Sequence, residues 1–532
     1  MPNAHDPALP GAPSPAFPDR RTPEQPNPAG CEAADGAQVF ALWGVEPEVL
    51  AYAMARYSRS ALSLTESLRE IDRQKAEKFL NTFYFQYGHR SIADLAHVGF
   101  AIERLSLLAA IEAVDENRWD GQERSTRYQR FRSGDWHVPA ELTAEQRTRY
   151  ETALAGLFQA YHTLSEKIWR AYCDRTPCPE GMEAERFARA LRARAFDVAR
   201  YLLPLATMTS LGQIVSARTL ESQIARLLSS EYAEVRELGQ ALKQAAATPA
   251  YDPRRAMLRE AAQALGGGDP ALASALEQIG RPAPALPTLV KYAEPNPYLI
   301  AARRELRQLA QELLGGAEPQ PAARVTLIEP GGFELEAAST LLYGACDLPY
   351  QQITEFVSGL SARRRKEILE TGLRRRGAHD ELAREWRSGY GFLFDIFMDL
   401  GGFRDLHRHR RCVQIHQAAS FQHGYETPAP VIAYGAAAEY QATLLAARQT
   451  AEQLPATAAP YLISLAYRKR TLFKMDAAEA AYLIELRTAP GGHFSYRETA
   501  WEMFEALRQR YPDFAEHLRV RRPDPERELA ER

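Results

Sequence analysis

The sequence predicts a helix-rich α+β protein in which one domain is used twice. Three observations point there. ARVTLIEPGGFELEAASTLLYGACDL repeats the strand, turn and helix order of AQVFALWGVEPEVLAYAMARYSRSAL. A long polar helix follows in both halves. An apolar aromatic stretch comes next, HVGFAIERLSLL in the first half and GYGFLFDIFMDLGG in the second. A tandem duplication of a domain of roughly 200–250 residues accounts for all three.

Size and composition agree. At 532 residues the chain is too long for one compact domain, and 45% apolar with 25% charged residues is an ordinary globular mix. Lys plus Arg is 65 against 68 for Asp plus Glu, a net charge of -3, so no overall basic field recruits nucleic acid or an anionic membrane. No run of about 18 apolar residues exists to span a bilayer. Five scattered cysteines make no disulfide framework and fit a reducing cytoplasm. MPNAHDPALPG lacks the charged-then-apolar order of a secretory signal.

Along the chain, nine prolines fall in the first 28 residues, so 1–36 reads as a disordered tail. Residues 37–245 form the first domain. It opens with a strand, turn and helix, then a long helix over ESLREIDRQKAEKFLNTFYFQYG ending at Gly88. HRSIADLAHVGFAIERLSLLAAIEAV is apolar on one face and then nearly all round, so part of it is buried helix. Residues 146–174 are an amphipathic helix, and 183–245 are mostly helical around the buried run ARYLLPLATMTSLGQIVSA. Breakers in ATPAYDPRR, LGGGDPA and GRPAPALPT mark 246–322 as a linker around one short Ala-rich helix. Residues 323–532 form the second domain.

Three clusters carry chemistry. His407-Arg408-His409-Arg410-Arg411 sets five potential cations at the end of an aromatic helix, and Arg supplies planar forks for phosphate. Glu123-Arg124-Ser125-Thr126-Arg127-Tyr128 offers acceptor, hydroxyls, guanidinium and phenol, a set suited to phosphate plus a polar heterocycle. Gly88-His89-Arg90-Ser91 is followed by Asp94 and His97. No metal site is expected, because Asp94 and His97 lack further ligands nearby and Cys173-x4-Cys178 lacks a partner pair. Arg363–Lys366 and Arg374–Arg376 read as solvated faces or a helix C-terminus. There is no G-x-G-x-x-G, P-loop or G-x-S-x-G.

Arg408-His409-Arg410, the G-H-x-S-x-x-[ED] of residues 88–94 and the E-x-S-x-R-Y of residues 123–128 together resemble the flavin-dependent thymidylate synthase family. One domain of that family carries G-H-x-[ST]-x-x-E-H, R-H-R, E-x-S-x-R-Y and a late Leu-Arg, and its homotetramer builds each active site at subunit interfaces. The resemblance spans roughly residues 37–245 and 323–520. It implies bound FAD, deoxyuridine monophosphate (dUMP) as substrate, methylenetetrahydrofolate as carbon donor and NADPH as reductant.

The two halves depart from the pattern in complementary ways. The first keeps Glu123-x-Ser125-Thr126-Arg127-Tyr128, Ala199-Arg200 and Ser216-Ala217-Arg218, but its R-H-R slot falls at Val114-Asp115-Glu116 and its late Arg at Leu227-Leu228 or nearby is lost. The second keeps Arg408-His409-Arg410 and Leu486-Arg487 but lacks E-x-S-x-R-Y, and its other slots fall near Pro460 and Asp476-Ala477-Ala478. The halves are therefore expected to pack as a pseudo-two-fold pair, a pseudo-dimer with one composite site per chain, Arg408 and Arg487 facing Arg127 and Arg200. Two chains would pair again as a homodimer.

On this resemblance the catalytic group is Arg487, beside the uracil edge. Substrate contacts fall to Glu123, Ser125, Thr126, Arg127, Arg200, Arg408 and Arg487. Flavin and folate contacts fall to His89, Ser91, Asp94, Ser216, Arg218, Arg408, His409 and Arg410. Asp94 stands where the family has Glu, and Asp405 stands where it has Gln, which leaves the pyrimidine open. Cys412 is read as packing. The alternatives are a flavin- or nucleotide-binding pseudoenzyme, and a nucleic-acid-binding protein, which the charge of -3 disfavours.

Overall fold

The computed structural model describes residues 41–58, 60–71, 73–81, 90–265, 268–328, 331–377, 383–516 and 518–524. The Pro-rich tail lies outside them. The chain divides into two units, Met1–Val45 and Glu46–Arg532. Residues 41–45 of the first contain no strand or helix, and everything that follows concerns the second.

Among the described residues seven strands form two antiparallel sheets. The first holds β1 (His97–Ser106), β2 (Asp120–Glu123) and β3 (Met208–Ser216) in the order β1-β3-β2. The second holds β4 (Val325–Ile328), β5 (Phe392–Asp399), β6 (Val413–His416) and β7 (Arg468–Met475) in the order β4-β5-β7-β6. β5, β6 and β7 thus repeat β1, β2 and β3, and β4 adds one edge. The duplication is visible in the local chemistry too. Four strands run straight into helices through a side-chain cap: Ser106 accepts from Ala109 N–H, Ser216 from Thr219, Asp399 from Gly402 and Asp476 from Glu479. Each short oxygen-bearing side chain satisfies a helix N–H that would otherwise lack a partner, so strand turns to helix without a loop.

The copies meet about a pseudo-two-fold axis near Pro204 and Ser464, which form an isolated bridge. Leu205 N–H donates to Ile463 (2.8 Å) and Leu465 N–H to Leu203 (2.9 Å); Ala206 donates to Tyr461 (2.9 Å) and Ala466 to Tyr201 (3.0 Å). Exchanging the copies turns each bond into its mate, as isologous contact requires. One hydrophobic core passes through both, including Leu107, Leu205, Leu220, Leu400, Leu465 and Leu483. A second, smaller core gathers Leu309, Leu341, Ile353, Ile368 and Leu472 under the second sheet.

Several expected elements differ. The apolar stretches read as helix are β1 followed by the helix Leu107–Val114, and β5 followed by the helix Leu400–Leu406. β5 is buried on both faces, and an unbroken apolar run carries no period that separates such a strand from helix. β3 likewise lies inside the run expected to be mostly helical. The long helix before Gly88 is two, Leu64–Glu70 and Arg73–Leu80, and Gly88 lies outside the described residues. The segment 246–322 expected to be a linker carries, among the described residues, Pro253–Leu265 and Pro270–Ile279, two helices rather than one, and then Pro297–Leu314. The amphipathic helix is as read, Ala144–Arg175, opened by reciprocal capping between Thr143 and Gln146.

Glu234 ties the copies together. It accepts from Ser106 N–H (2.8 Å) and Oγ (2.6 Å) in the first copy and from Tyr461 Oη (2.9 Å) in the second. Glu234→Ala strands these buried donors and should lower the unfolding free energy by roughly 2–3 kcal/mol, against about 1 kcal/mol for Tyr461→Phe. Urea denaturation checks both.

Candidate functional site

Strand-to-helix junctions aim the second copy's functional groups. The helix Leu400–Leu406, capped by Asp399, presents Arg404 and Asp405 in its last turn and delivers His407 to Arg411 beyond it. Gly402 lets this turn approach the helix Phe494–Arg510, since an added Cβ would lie 2.7 Å from Ser495 Oγ. The helix Ala477–Thr488, capped by Asp476, carries Arg487 in its last turn. From the first copy, β2 runs into the loop carrying Ser125, Thr126 and Arg127, and the helix Ala184–Ala199 into the turn that begins at Arg200.

These pieces converge. Arg404 Nη2 donates to Glu123 Oε2 at 2.6 Å, an ion pair between copies with both side chains buried. Arg200 donates to Thr126 Oγ1 (3.2 Å), to the Gly401 carbonyl (2.9 Å) and to Asp405 Oδ2 (3.5 Å). Arg127 is gripped by both Asp197 oxygens (2.8 and 3.4 Å) and also reaches the Gly491 carbonyl and Tyr496 Oη. Asp405 stands among them. Burial pushes its carboxyl up, but Arg200, Arg127, Arg487 and Arg408, two from each copy, outweigh that and hold it below the usual carboxylate range. Arg200 Nε and Arg404 Nε are buried without a hydrogen bond among the described residues.

A second chain of contacts sets Arg487. His409 Nδ1 lies 3.1 Å from Glu479 Oε1, and a carboxylate there accepts, so Nδ1 carries the proton. Nε2 is then the lone pair that receives Arg487 Nε–H at 2.9 Å. Beside this lies a cavity of about 630 Å³ whose lining includes Asp94, Trp119, Ser216, Arg408, Tyr482 and Arg487. Among the described residues five arginines and three carboxylates line it, so its balance favours an anion. Arg410 stacks 4.2 Å above Trp119, and Arg408 Nη1 donates to Gln122 Oε1 at 3.4 Å.

Of the residues singled out by sequence, Thr126, Arg127, Arg200, Arg408 and Arg487 surround one locus with Glu123 at its rim. Ser125 accepts from Arg127 N–H and shapes the loop. Asp94, Ser216, His409 and Arg410 line the cavity. Arg218 pairs with Asp94 at 3.2 Å, Ser91 is exposed, and His89 lies outside the described residues. Burial pushes the Cys412 thiol up to about 12, which suits packing. Arg364 pairs with Glu367 and Glu312, and Arg374 and Arg375 with Glu305. Sequence reading missed Arg194, Asp197, Arg404, Glu479, His493 and Tyr496. Only Arg194 and Asp197 left a trace, lying six and three residues before Arg200 on one helix face.

Aligning Ser106 with Asp399 sets the first copy's R-H-R slot at Asp115-Glu116-Asn117, one residue later than the sequence comparison had it. By the same alignment Asp115 replaces Arg408, Glu112 replaces Asp405, and His416 replaces Glu123. Aligning Ser216 with Asp476 pairs Leu227 with Arg487.

Two site histidines make folding pH-dependent. Burial, chiefly, holds His409 and His493 below the usual value near 6.5, the latter also beside Arg200 and Arg127. Both stay neutral in the fold and bind protons once unfolded, so stability is full above about pH 6.5 and falls as pH drops below it. Each contributes about 1.4 kcal/mol per pH unit while it stays neutral. Denaturation at pH 7.5 and 5.5 should show wild type losing up to roughly 3 kcal/mol more than His409→Gln/His493→Gln.

Comparison with known proteins identifies the family. The family described as thymidylate synthase complementing protein matches residues 42–249 and 389–513. A UPF0159 protein of Chlamydia pneumoniae is 26% identical over 507 residues, covering 87% of this chain and 88% of that one. A flavin-dependent thymidylate synthase of Clostridium tetani is 25% identical over 176 residues, 33% of this chain and 67% of that protein. The crystal structure of thymidylate synthase X from Helicobacter pylori with FAD and dUMP shares 18% identity over 37% of this chain and 88% of its own, at a TM-score of 0.25. Matched in both halves and over more than half its length, the chain belongs to the thymidylate synthase complementing protein family, the flavin-dependent thymidylate synthases, and carries that family's domain twice.

Proposed function

We propose that this protein is a flavin-dependent thymidylate synthase that methylates dUMP reductively to dTMP, using methylenetetrahydrofolate and NADPH, at one composite site per chain. The carrying observation is the convergence of Arg127 and Arg200 from one copy with Arg408 and Arg487 from the other around Asp405. We read the copies as 37–245 and 323–532, joined by 246–322, and the active protein as a homodimer. Among the described residues no helix is long and apolar enough to cross a membrane.

The residues fit FAD. The 630 Å³ cavity combines guanidinium groups for a diphosphate with the exposed ring of Tyr482. Arg408 and Arg410 would hold the cofactor's phosphates, with Asp94, Ser216 and Arg218 behind them, while both ring nitrogens of His409 are already engaged by Glu479 and Arg487. Bound there, reduced flavin supplies the carbon-transfer and hydride chemistry.

The chain's own groups bind and orient. Arg127 and Arg200 supply charge for the nucleotide phosphate, where charge-assisted bonds are strongest. The unsatisfied N–H groups of Arg200 and Arg404 favour an incoming anion. Glu479 fixes the His409 tautomer, and His409 in turn orients Arg487, whose guanidinium stabilises charge developing on the pyrimidine ring. Asp405 faces the same locus and favours a ring edge that can donate a hydrogen bond. A non-catalytic nucleotide-binding reading draws on the internal partners that already engage Arg127 and Arg200.

The purified protein should carry flavin absorbance and release tritium from C5-labelled dUMP. Arg127→Ala and Arg408→Ala should each lower kcat/KM by roughly 10- to 100-fold. Arg487→Ala should cost about 100- to 1,000-fold, mostly in kcat. Flavin and dUMP binding without tritium release establishes the non-catalytic reading. Full activity in both Arg127→Ala and Arg408→Ala overturns the composite site.

A further inference from the structure

We propose that the degenerate sister site binds a divalent first-row transition metal ion through the Asp115 carboxylate, His407 Nε2 and His416 Nε2. This stands apart from the flavin reading and uses none of its residues.

The three groups come from both copies. Asp115 follows the helix Leu107–Val114, His407 ends the helix Leu400–Leu406, and His416 closes β6. All three donor atoms lie within 4.8 Å of one another. Asp115 Oδ1 is 3.4 Å from His416 Nε2 and 4.0 Å from His407 Nε2. Metal bonds of about 2.0–2.1 Å in tetrahedral array put neighbouring donors roughly 3.4 Å apart, so small side-chain adjustments complete the set.

Hydrogen bonding sets both rings for this task. Gln414 Nε2 donates to the His409 carbonyl at 2.7 Å, which fixes the amide orientation. Its Oε1 therefore accepts from His407 Nδ1 at 2.8 Å. The Thr471 hydroxyl turns its proton toward the Ile415 carbonyl and accepts from His416 Nδ1 at 2.9 Å. Both Nδ1 atoms thus carry the protons and both Nε2 atoms are lone pairs. Among the described residues neither Nε2 has a hydrogen-bond partner, although His407 is only 6% exposed and both atoms are buried. A buried, unpartnered pair of imidazole lone pairs aimed at a carboxylate is costly unless something fills the gap. Polar groups that fix the far nitrogens of metal-binding histidines are the usual support for such ligands.

The rest of the surroundings bears on affinity. Arg384 donates to Asp115 Oδ1 (2.5 Å) and to its carbonyl (2.7 Å), holding the carboxylate in place. The Lys469 ammonium lies over the Phe403 ring, and Glu112 and Asp115 act on it. These two cations compete for the carboxylate, so the imidazoles carry most of the selectivity. Two imidazoles and a carboxylate select zinc- or iron(II)-like ions over magnesium or calcium. A cleft of about 1080 Å³ borders Asp115 and His416.

The test titrates the full chain, stripped with chelator, with Co²⁺ alone, following ligand-field absorbance and metal content. One equivalent per chain with a visible spectrum that Zn²⁺ displaces is expected. His407→Ala and His416→Gln should each weaken binding by at least about 100-fold, and Gln414→Leu by about tenfold. Near-ultraviolet circular dichroism reports folding of each variant, and His416→Gln serves should His407→Ala fail to fold. Absence of a Co²⁺ spectrum in wild type, or an unchanged spectrum in folded His416→Gln, overturns the proposal.

Discussion

Four guanidinium groups held around one carboxylate are the constraint on which the site depends. Arg127, Arg200, Arg408 and Arg487 repel one another at short range, and burial deepens the repulsion by lowering the local dielectric. Asp405 lies at their centre, Asp197 grips Arg127, and Glu123 crosses between copies to Arg404. Each of these contacts needs a rigid frame, because a charged group left unpaired in a partly buried place costs more than the pair contributes. The frame is the junction between copies, where backbone bonds between residues 201–206 and 461–466 come in symmetry-related pairs.

The same axis explains why one protein carries two unlike cavities. A symmetric pair of domains would hold two equal composite sites. Here one locus concentrates guanidinium groups, while its counterpart carries Asp115 in place of Arg408, Glu112 in place of Asp405 and His416 in place of Glu123. Positive charge on one side has become negative on the other, and an acid has become an imidazole. A pocket changed in this way is poorly suited to a nucleotide phosphate. It retains well-supported polar groups, and Gln414 and Thr471 still orient the rings of His407 and His416.

The sequence made the chemistry of the first site legible and its geometry only partly so. Arg408-His409-Arg410 and the Glu123–Tyr128 segment stand out because their residue types cluster along the chain. Their complementary loss in the two halves predicted that they meet, and they do. Glu479 left no comparable signal, since a lone acid on a helix looks like any solvated face. β5 was read as helix for a related reason: FLFDIFMD is buried on both sides, and without a polar face it carries no period to read.

Local spacing determined the duplicated order of elements, the strand-to-helix turns and the motifs that mark the family, because each of these depends on residues a few positions apart. Only the tertiary structure decided that Arg404 reaches Glu123 across 281 residues, and that Asp115 comes to lie beside His407 and His416. Such meetings are set by sheet register and by the two-fold junction between copies, and those pairings join segments whose separation along the chain carries no trace of their distance in space.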